Sequence, residues 1–279
     1  MPEAPKVRRL FAAIARRYDL ANDVLSGGTH RLWRRRLVRR VGIARGVSAL
    51  DVCCGTGDLA RAMRRAGAKV IGVDFCQEMV ALAARKAGPD TGAYAVGDAL
   101  QLPFPDAAFD VATVAFGIRN VADPVVGLRE MARVCRPGGR VVVLEFCRPR
   151  APVFASVYGL YFRRILPRLG ALVSGDRQGA YRYLQETVDA FPERDAFLRL
   201  MRAAGLENPR YEVLSLGIAS IYQGEVPLRR IAITPGAACN QAGGSSEVGG
   251  PVRAEIHGST LRGAISPVFA HGAASPPGS

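Results

Sequence analysis

The sequence predicts an α/β fold in which helices cover a mostly parallel β-sheet. Two observations indicate this class. From Val47 to Glu145, short apolar runs alternate with segments of helical periodicity, and strands separated by helices pair in parallel through right-handed crossovers. The first apolar run also ends in an acid and leads directly into Gly55-Thr56-Gly57, a glycine loop that opens a helix.

Two basic helices are predicted ahead of the sheet. Apolar side chains recur at helical spacing over 7–18, ending near Asp19, and again over 31–41. Segment 22–30 between them contains Ser-Gly-Gly and is typical of a loop. Both helices carry arginines on their other faces, a pattern that fits a partner-binding helix as well as a solvated one.

The elements of the sheet follow in order along the chain. The predicted strands are short apolar runs bounded by turn residues, at 49–52, 69–74, 94–96, 109–115 and 140–145. The predicted helices are 58–66, 77–87, 125–134 and 197–204. Segments 211–216 and 218–222 are expected to pair as a closing antiparallel hairpin.

Composition divides the chain into three predicted regions. Residues 1–46 hold the basic helices on the substrate side, and residues 47–234 hold the α/β domain. Residues 235–279 are dominated by Gly, Ala, Ser and Pro and lose periodicity, which predicts a disordered tail. Residues 153–173 are apolar but interrupted by arginines and a proline, so they are expected to cap a pocket or touch a membrane face.

The charge balance favours an anionic partner. The formal net charge is +14, and arginine supplies nearly all of the 38 basic residues. A nucleic acid, a membrane surface and a phosphorylated ligand all fit such a charge, as does a basic solvated surface. Aromatic and basic residues do not interleave as they do in single-strand binders, which argues against a nucleic acid.

Cysteine usage and targeting patterns indicate a cytoplasmic protein. The six cysteines contain no C-x-x-C pair, so neither a zinc site nor a disulfide framework is expected. The three histidines are too scattered to predict a metal site. The apolar run after Arg9 breaks at Arg16, too soon for a signal peptide.

The loop Gly55-Thr56-Gly57 predicts a nucleotide or nucleoside pocket. Glycines let a ligand approach the main chain, and a helix start supplies free N–H donors. The stretch GTGDLA also fits G-x-G-x-x-A, and with Asp74 downstream a dinucleotide site stays open, as does a turn that binds nothing. Asp51 and Asp58, however, would repel a diphosphate and suit a cationic ligand such as S-adenosylmethionine.

Several stretches are more specific to one protein family than the glycine loop is. RYDLAND at 17–23, SGGTHRLWRR at 26–35 and FGIRNV at 116–121 are specific, whereas LDVCCGTGDLA at 50–60 and RPGGRVVVLEF at 136–146 are typical of many methyltransferases. On these residues the chain resembles the quinone-biosynthesis C-methyltransferases, the demethylmenaquinone and 2-polyprenyl-benzoquinol methyltransferases. The resemblance runs from about residue 7 to 224 and leaves the tail uncovered.

The resemblance implies a fold and a cofactor. The fold is the Rossmann-like class I S-adenosylmethionine-dependent methyltransferase, a mostly parallel seven-stranded sheet with a C-terminal antiparallel hairpin. By position, Thr56 would lie against the methionine part of S-adenosylmethionine and Asp74 would bind the ribose hydroxyls. The residues expected to bind the cofactor are Asp51, Gly55, Thr56, Gly57, Asp74, Phe75, Asp98, Ala99 and Ala115.

The resemblance also implies methyl transfer to a ring carbon of a reduced polyprenyl quinone. Removing the ring-hydroxyl proton raises electron density at the adjacent carbon, so a general base or a cation that stabilises the phenolate is needed. Arg119 is expected to supply this help, directly or by holding a water, and Asn120 to orient the ring. A structural Arg119 paired with Asp123 is the alternative. Secondary candidates are Tyr18, which also fits a core aromatic, His30, Asp176 and Tyr183.

A lipid-soluble substrate implies that the protein acts at a membrane surface. We expect a protein of the cytoplasm, peripherally associated with the inner face of the cell membrane through basic helices 7–18 and 31–41, with segment 153–173 lining the tail channel. A homodimer is expected from the family, and no nucleic acid partner. The Arg- and Ala-rich composition suits a bacterium and favours demethylmenaquinol, with a benzoquinol of ubiquinone biosynthesis as the alternative.

Other functions stay open at this point. A small-molecule O- or N-methyltransferase would share the fold, and fold does not determine substrate. An NAD-dependent dehydrogenase would use the G-x-G-x-x-A interpretation. A nucleic-acid methyltransferase would suit the charge, but the sequence contains no Asn/Asp-Pro-Pro-Tyr motif.

Overall fold

A central sheet with helices packed around it forms the computed structural model, which describes residues 4–88, 93–174 and 179–228. The strands of this part are β1 (Ser48–Val52), β2 (Lys69–Asp74), β3 (Ala93–Val96), β4 (Phe109–Ala115), β5 (Cys135–Phe146), β6 (Glu207–Leu214) and β7 (Ala219–Glu225). Its α-helices are α1 (Ala4–Ile14), α2 (Tyr18–Ser26), α3 (Thr29–Arg40), α4 (Asp58–Arg65), α5 (Gln77–Ala87), α6 (Pro124–Val134), α7 (Pro152–Leu160), α8 (Leu166–Ser174), α9 (Ala180–Ala190) and α10 (Asp195–Ala203).

The strand order is β3-β2-β1-β4-β5-β7-β6. Strands β1 to β5 pair in parallel, with Val52 opposite both Val73 and Val114. Strand β7 runs antiparallel to both of its neighbours, β5 and β6. This arrangement confirms the predicted fold class, a mostly parallel seven-stranded sheet that ends in an antiparallel hairpin.

The two faces of the sheet are covered by different helices. On β5, Val141 and Val143 belong to a core cluster with residues of α6 and α10, whereas Val142 and Leu144 belong to a cluster with residues of α3 and α4. Alternate side chains of a strand point to opposite faces, so each run of apolar residues in β5 is buried on both sides. Because β1 to β5 are parallel, their carboxyl ends lie at one edge of this sheet.

The N-terminal segment differs from the sequence prediction. The expected loop at 22–30 is wrong, because α2 extends to Ser26 and α3 begins at Thr29. Only Gly27 and Gly28 between them have left-handed φ angles, of 56° and 75°. Burial of Ala21, and of Leu25 against an apolar cluster, stabilises the helix despite its weak helix formers. The predicted single helix over 7–18 is also divided, by a 3₁₀ turn at Ala15–Arg17.

Later in the chain, the structure contains helices that the sequence periodicity did not predict. Residues 152–174 are helical throughout, as α7, a π-helical turn at Tyr161–Ile165 and α8. Helix α9 was not predicted. Within the described ranges, no helix has the length and hydropathy needed to cross a bilayer. The chain divides into Met1–Ala232 and 233–279, and the tail predicted at 235–279 lies outside the described residues.

Phe197 on α10 provides a test of the core beneath β7. Its ring is fully buried, with centroids 4.5 Å from Tyr222 and 5.7 Å from Phe191. Phe197→Ala is expected to lower the free energy of unfolding by about 3–5 kcal/mol through lost transfer energy and a residual cavity. Urea unfolding measures this. Leu228→Ala, at a side chain that is 80% exposed, should stay within about 0.5 kcal/mol.

Candidate active site

A tight loop joins β1 to α4 at the carboxyl edge of the sheet. Cys53, Gly55 and Gly57 have positive φ angles of 52°, 55° and 80°. A Cβ on Gly57 would lie 2.6 Å from the Tyr94 hydroxyl, so glycine is needed there. A Cβ on Gly55 would meet nothing within 4 Å, which leaves space against the main chain at this point.

Asp51, at the end of β1, anchors the start of α4. Its Oδ2 accepts a hydrogen bond from the Ala60 backbone N–H at 2.9 Å, and its Oδ1 accepts one from the Thr113 hydroxyl at 3.3 Å. Burial raises the pKa of Asp51 to about 7, although Arg34 and these two donors favour the charged form. The carboxylate therefore faces the protein interior.

Asp74, at the end of β2, holds the glycine loop from the other side. Its Oδ2 accepts from the Gly55 N–H and its Oδ1 from the Cys76 N–H, both at 2.9 Å. Burial raises the pKa of Asp74 to about 6 against these backbone donors. Unlike Asp51, this residue lines a cavity.

A polar cluster joins the N-terminal segment to the loop. The Thr56 hydroxyl donates to Asp19 Oδ1 at 2.5 Å, and Lys86 Nζ donates to Thr56 Oγ1 at 2.9 Å. Lys86 also donates to Asp19, and to Asp58 Oδ1 at 3.0 Å. Helix α2 is thus tied to the loop, to α4 and to α5.

The first cavity opens where β1, β2 and β4 end. It encloses about 790 Å³ including its mouth. Six of the nine residues predicted to bind a cofactor line it: Gly55, Asp74, Phe75, Asp98, Ala99 and Ala115. The other three, Asp51, Thr56 and Gly57, are not among its lining residues and make the contacts described above.

A second, larger cavity adjoins the first. It encloses about 1370 Å³ and is lined mainly by aromatic and aliphatic side chains from α1, α3, α7, α8 and α9. Phe11, Tyr18 and Phe116 line both cavities. The two spaces therefore meet at these three rings, below the N-terminal helices.

Arg119 supplies a buried charge to the wall of the second cavity. Its Nη1 donates to Glu145 Oε1 at 2.7 Å and to the Phe116 carbonyl at 2.6 Å. The alternative pairing with Asp123 is wrong, because the Asp123 carboxylate caps α6 by accepting from the Val125 and Val126 N–H groups. Among the described residues, Arg119 Nε and Glu145 Oε2 are buried without a hydrogen-bond partner.

Asn120 and two tyrosines link the cavities. Asn120 lines the first cavity, and its Oδ1 accepts a hydrogen bond at 3.1 Å from the hydroxyl of Tyr183, which lines the second. Burial raises the pKa of Tyr18 and of Tyr183, so both hydroxyls stay protonated at neutral pH. The nearby Arg119 opposes this rise for both.

His30 lies in the second cavity as a neutral side chain. Burial lowers its pKa to about 4, with Arg34 acting in the same direction. Its Nδ1 is 2.6 Å from the Ser26 hydroxyl, and its Nε2 is 3.3 Å from Asp23 Oδ1. Asp176, the remaining secondary candidate, lies outside the described residues.

Some residues that line the site were not predicted as site residues from the sequence. Glu145 was placed in a strand, but 26 positions separate it from Arg119, and no local pattern indicates that they pair. Phe11 and Phe116 appeared as core or motif residues, although they line both cavities. Only the positive φ of 61° at Phe116 marks it as unusual, and that is a property of the structure.

Comparisons with known proteins find matches along most of the chain. The family model described as the ubiE/COQ5 methyltransferase family matches residues 2–225. A demethylmenaquinone methyltransferase of Thermus thermophilus is 49% identical over 223 residues, 78% of this chain and 100% of that protein. The ubiquinone/menaquinone biosynthesis C-methyltransferase UbiE of Bdellovibrio bacteriovorus is 46% identical over 232 residues, 81% of this chain and 97% of that protein.

A solved structure supports the fold independently. A Thermotoga maritima protein described as a SAM-dependent methyltransferase, possibly a histamine N-methyltransferase, has a TM-score of 0.58 at 20% identity. The match covers 78% of this chain and 98% of that one. Identity this low supports the fold alone.

The Arg119–Glu145 pair leads to a stability prediction. Glu145→Ala leaves a buried cation without its partner and is expected to lower the free energy of unfolding by about 3–5 kcal/mol. Replacing both residues by Met should cost less than the sum of the single changes, measured as a double-mutant cycle in urea. Additive costs would contradict the pairing. Glu225→Ala, which removes a half-exposed partner of Arg210, should change stability by at most about 1 kcal/mol.

Proposed function

The chain belongs to the ubiE/COQ5 methyltransferase family, and from that premise we propose that it methylates a ring carbon of demethylmenaquinol, using S-adenosylmethionine as the methyl donor. The observation that carries this proposal is the pair of adjoining cavities. One is bounded by a glycine loop and carboxylates, and the other by aromatic walls with a buried arginine. A polar cofactor and an apolar substrate would meet at Phe11, Tyr18 and Phe116.

The first cavity has the chemistry that S-adenosylmethionine requires. Asp74 and Asp98 present carboxyl groups, and the space beside Gly55 admits a ligand to the main chain. Phe75, Met79 and Leu100 provide apolar surface for a heteroaromatic ring. Asp74, whose carboxyl ends β2, would accept hydrogen bonds from the ribose hydroxyls.

The residues of the second cavity would prepare the ring. Bound S-adenosylmethionine would supply a methyl group on a positively charged sulfur, and a neutral thioether would leave as the ring carbon forms its bond to the methyl. The methylated carbon would then lose its proton to water and the ring would regain its aromaticity. The weak nucleophilicity of the ring carbon is the remaining difficulty. Arg119 would favour the phenolate over the phenol, because a nearby cation stabilises a developing oxyanion. Glu145 and the Phe116 carbonyl hold the Arg119 guanidinium at the cavity wall, so it is preorganised for this task.

Tyr18 and Asn120 would orient the ring between the two cavities. Tyr18 is protonated and lines both cavities, so its hydroxyl can donate to a ring oxygen. Asn120, which lines the first cavity, accepts a hydrogen bond from the Tyr183 hydroxyl and would fix its position. The aromatic side chains that line both cavities would exclude water from the space between them, which would strengthen each electrostatic contact.

Membrane association belongs to the same proposal. A polyprenyl quinol resides in a bilayer, and exposed arginines on α1 and α3 would add roughly 1 kcal/mol each near an anionic surface. We place the protein at the inner face of the cell membrane as a peripheral enzyme. A homodimer is proposed from the family alone. The relatives' two names leave a benzoquinol of ubiquinone biosynthesis as the alternative ring.

Arg119 gives the direct test of function. Arg119→Gln combined with Glu145→Gln keeps the buried pair neutral and is expected to lower kcat by about 10²–10³-fold, the usual cost of losing one oxyanion-stabilising donor. The dissociation constant for S-adenosylmethionine should stay within about threefold, since these side chains lie outside the first cavity. Radiolabelled methyl transfer to demethylmenaquinol and to a demethyl-benzoquinol measures the turnover and identifies the ring.

Arg202→Ala, at an exposed arginine in the last turn of α10, is the control and should retain turnover. If the double variant turns over at the wild-type rate, Arg119 has no part in catalysis. If neither quinol accepts the label from the wild-type protein, the proposed substrate class is wrong.

Asp74 makes cofactor binding depend on pH. Its pKa of about 6 is raised above the usual value, and ribose hydroxyls would favour the ionised form, so affinity for S-adenosylmethionine should increase between about pH 5 and about pH 7. Calorimetric titration measures this. Asp74→Asn should weaken binding and remove the step, whereas Asp195→Asn at an exposed site should preserve it. A step that survives in Asp74→Asn would assign the titration to another group, such as Asp51.

A further inference from the structure

One helical segment forms the wall between the second cavity and solvent. Residues 152–174 run without a break through α7, the π-helical turn and α8. The inner face of the segment is aromatic and aliphatic, and it lines the cavity with Phe154, Tyr158, Tyr161, Phe162 and Leu166. The wall is therefore a single helix thick.

The outer face of this segment is also apolar. Its large hydrophobic side chains are between 38% and 80% exposed, and they are Val153, Val157, Leu160, Ile165, Leu169 and Leu172. We call these six residues the outer stripe. An apolar stripe of this length is unusual on a protein surface and indicates a binding face.

The π-helical turn keeps the outer stripe on one side. Steps of four and three residues separate Val153, Val157 and Leu160, and the same steps separate Ile165, Leu169 and Leu172. The step from Leu160 to Ile165 is five residues and spans the π-helical turn at Tyr161–Ile165. A π turn closes over five residues instead of four, so the wider step leaves the two halves of the stripe in phase.

The charged residues of the segment that carries the outer stripe are all positive. Segment 150–174 contains four arginines and no acidic residue. All four arginine side chains are exposed: Arg150, Arg163, Arg164 and Arg168. An apolar face flanked by cations matches the boundary between acyl chains and anionic headgroups, whereas a second copy of this chain would bring like charges together.

We propose that the outer stripe docks into the headgroup boundary of an anionic bilayer and that the lipid-tailed substrate enters the second cavity beside this helix. The inference rests on the proposed function for the identity of the substrate. It locates the apolar insertion into the bilayer on 152–174, whereas the arginines of α3 add electrostatic attraction without insertion, although its Leu32 is also exposed. The prenyl tail then passes from acyl chains into an aromatic cavity without crossing water.

Tryptophan quenching tests the contact directly. The chain has one tryptophan, Trp33, and it is buried. Val157→Trp and Leu172→Trp place a reporter on the outer stripe, and Leu32→Trp places a matched one on α3. With vesicles of anionic lipid brominated in the acyl chains, we expect the two stripe reporters to lose at least half of their added fluorescence, and the α3 reporter to stay unquenched.

Adding negative charge to the outer stripe tests whether the stripe is needed for vesicle binding and for turnover of a lipid-tailed substrate. Val157→Asp with Leu172→Asp is expected to weaken binding to anionic vesicles at least tenfold in flotation, and Leu32→Asp should bind like the wild type. Turnover of a long-tailed demethyl-quinol in vesicles should decrease in the double variant. Turnover of a short-tailed, water-soluble demethyl-quinol should stay within twofold, which also shows that the double variant is folded.

The outcomes separate the two proposals. Wild-type vesicle binding by the double variant, or quenching of the α3 reporter alone, would overturn the docking face. A wild-type dimer in sedimentation that the double variant dissociates, with vesicle binding unchanged, would assign the stripe to a second copy. Failure of the wild type on the short-tailed quinol would overturn the proposed function, and the vesicle measurements would still decide the docking face.

Discussion

Buried backbone N–H groups at the carboxyl edge of the sheet need acceptors, and two aspartates supply them. Asp51 accepts from Ala60 in the first turns of α4, and Asp74 accepts from Gly55 in the loop. An unpaired buried N–H costs about as much free energy as a lost hydrogen bond, so the loop conformation depends on these carboxylates. The same burial raises the pKa of both acids. The cofactor cavity is shaped by this arrangement.

The N-terminal segment completes both cavities although it contributes no strand. Asp19 joins it to the loop through Thr56 and to α5 through Lys86, and these contacts hold Tyr18 where the two cavities meet. Charged hydrogen bonds in a partly buried site are stronger than exposed ion pairs. The segment therefore covers the place where the two cavities meet.

A lipid-tailed quinol presents opposite requirements at its two ends. In the proposed reaction the ring needs a preorganised cation, which must be desolvated to be effective, and the buried Arg119–Glu145 pair would provide it without a net charge in the interior. The tail needs apolar surface over a long path. Residues 152–174 supply this on the inner face and are apolar on the outer face as well. In this proposal the two needs would be met by separate elements that share one cavity.

Local patterns in the sequence determined the sheet and the glycine loop. Strands β2 and β4 and helix α5 begin and end where periodicity predicted, because each buries a face whose pattern is written in consecutive residues. Six of the nine residues that the resemblance implied for the cofactor line one cavity, where the ends of parallel strands meet at one edge of the sheet. The N-terminal helices were less predictable, because weak helix formers in α2 are stabilised by burial against other elements. The pairing of Arg119 with Glu145, the meeting of the cavities at Phe116 and the in-phase outer stripe were decided only by tertiary structure. Each joins residues that are distant in the chain or depends on a backbone irregularity, and neither leaves a periodic signal in the sequence.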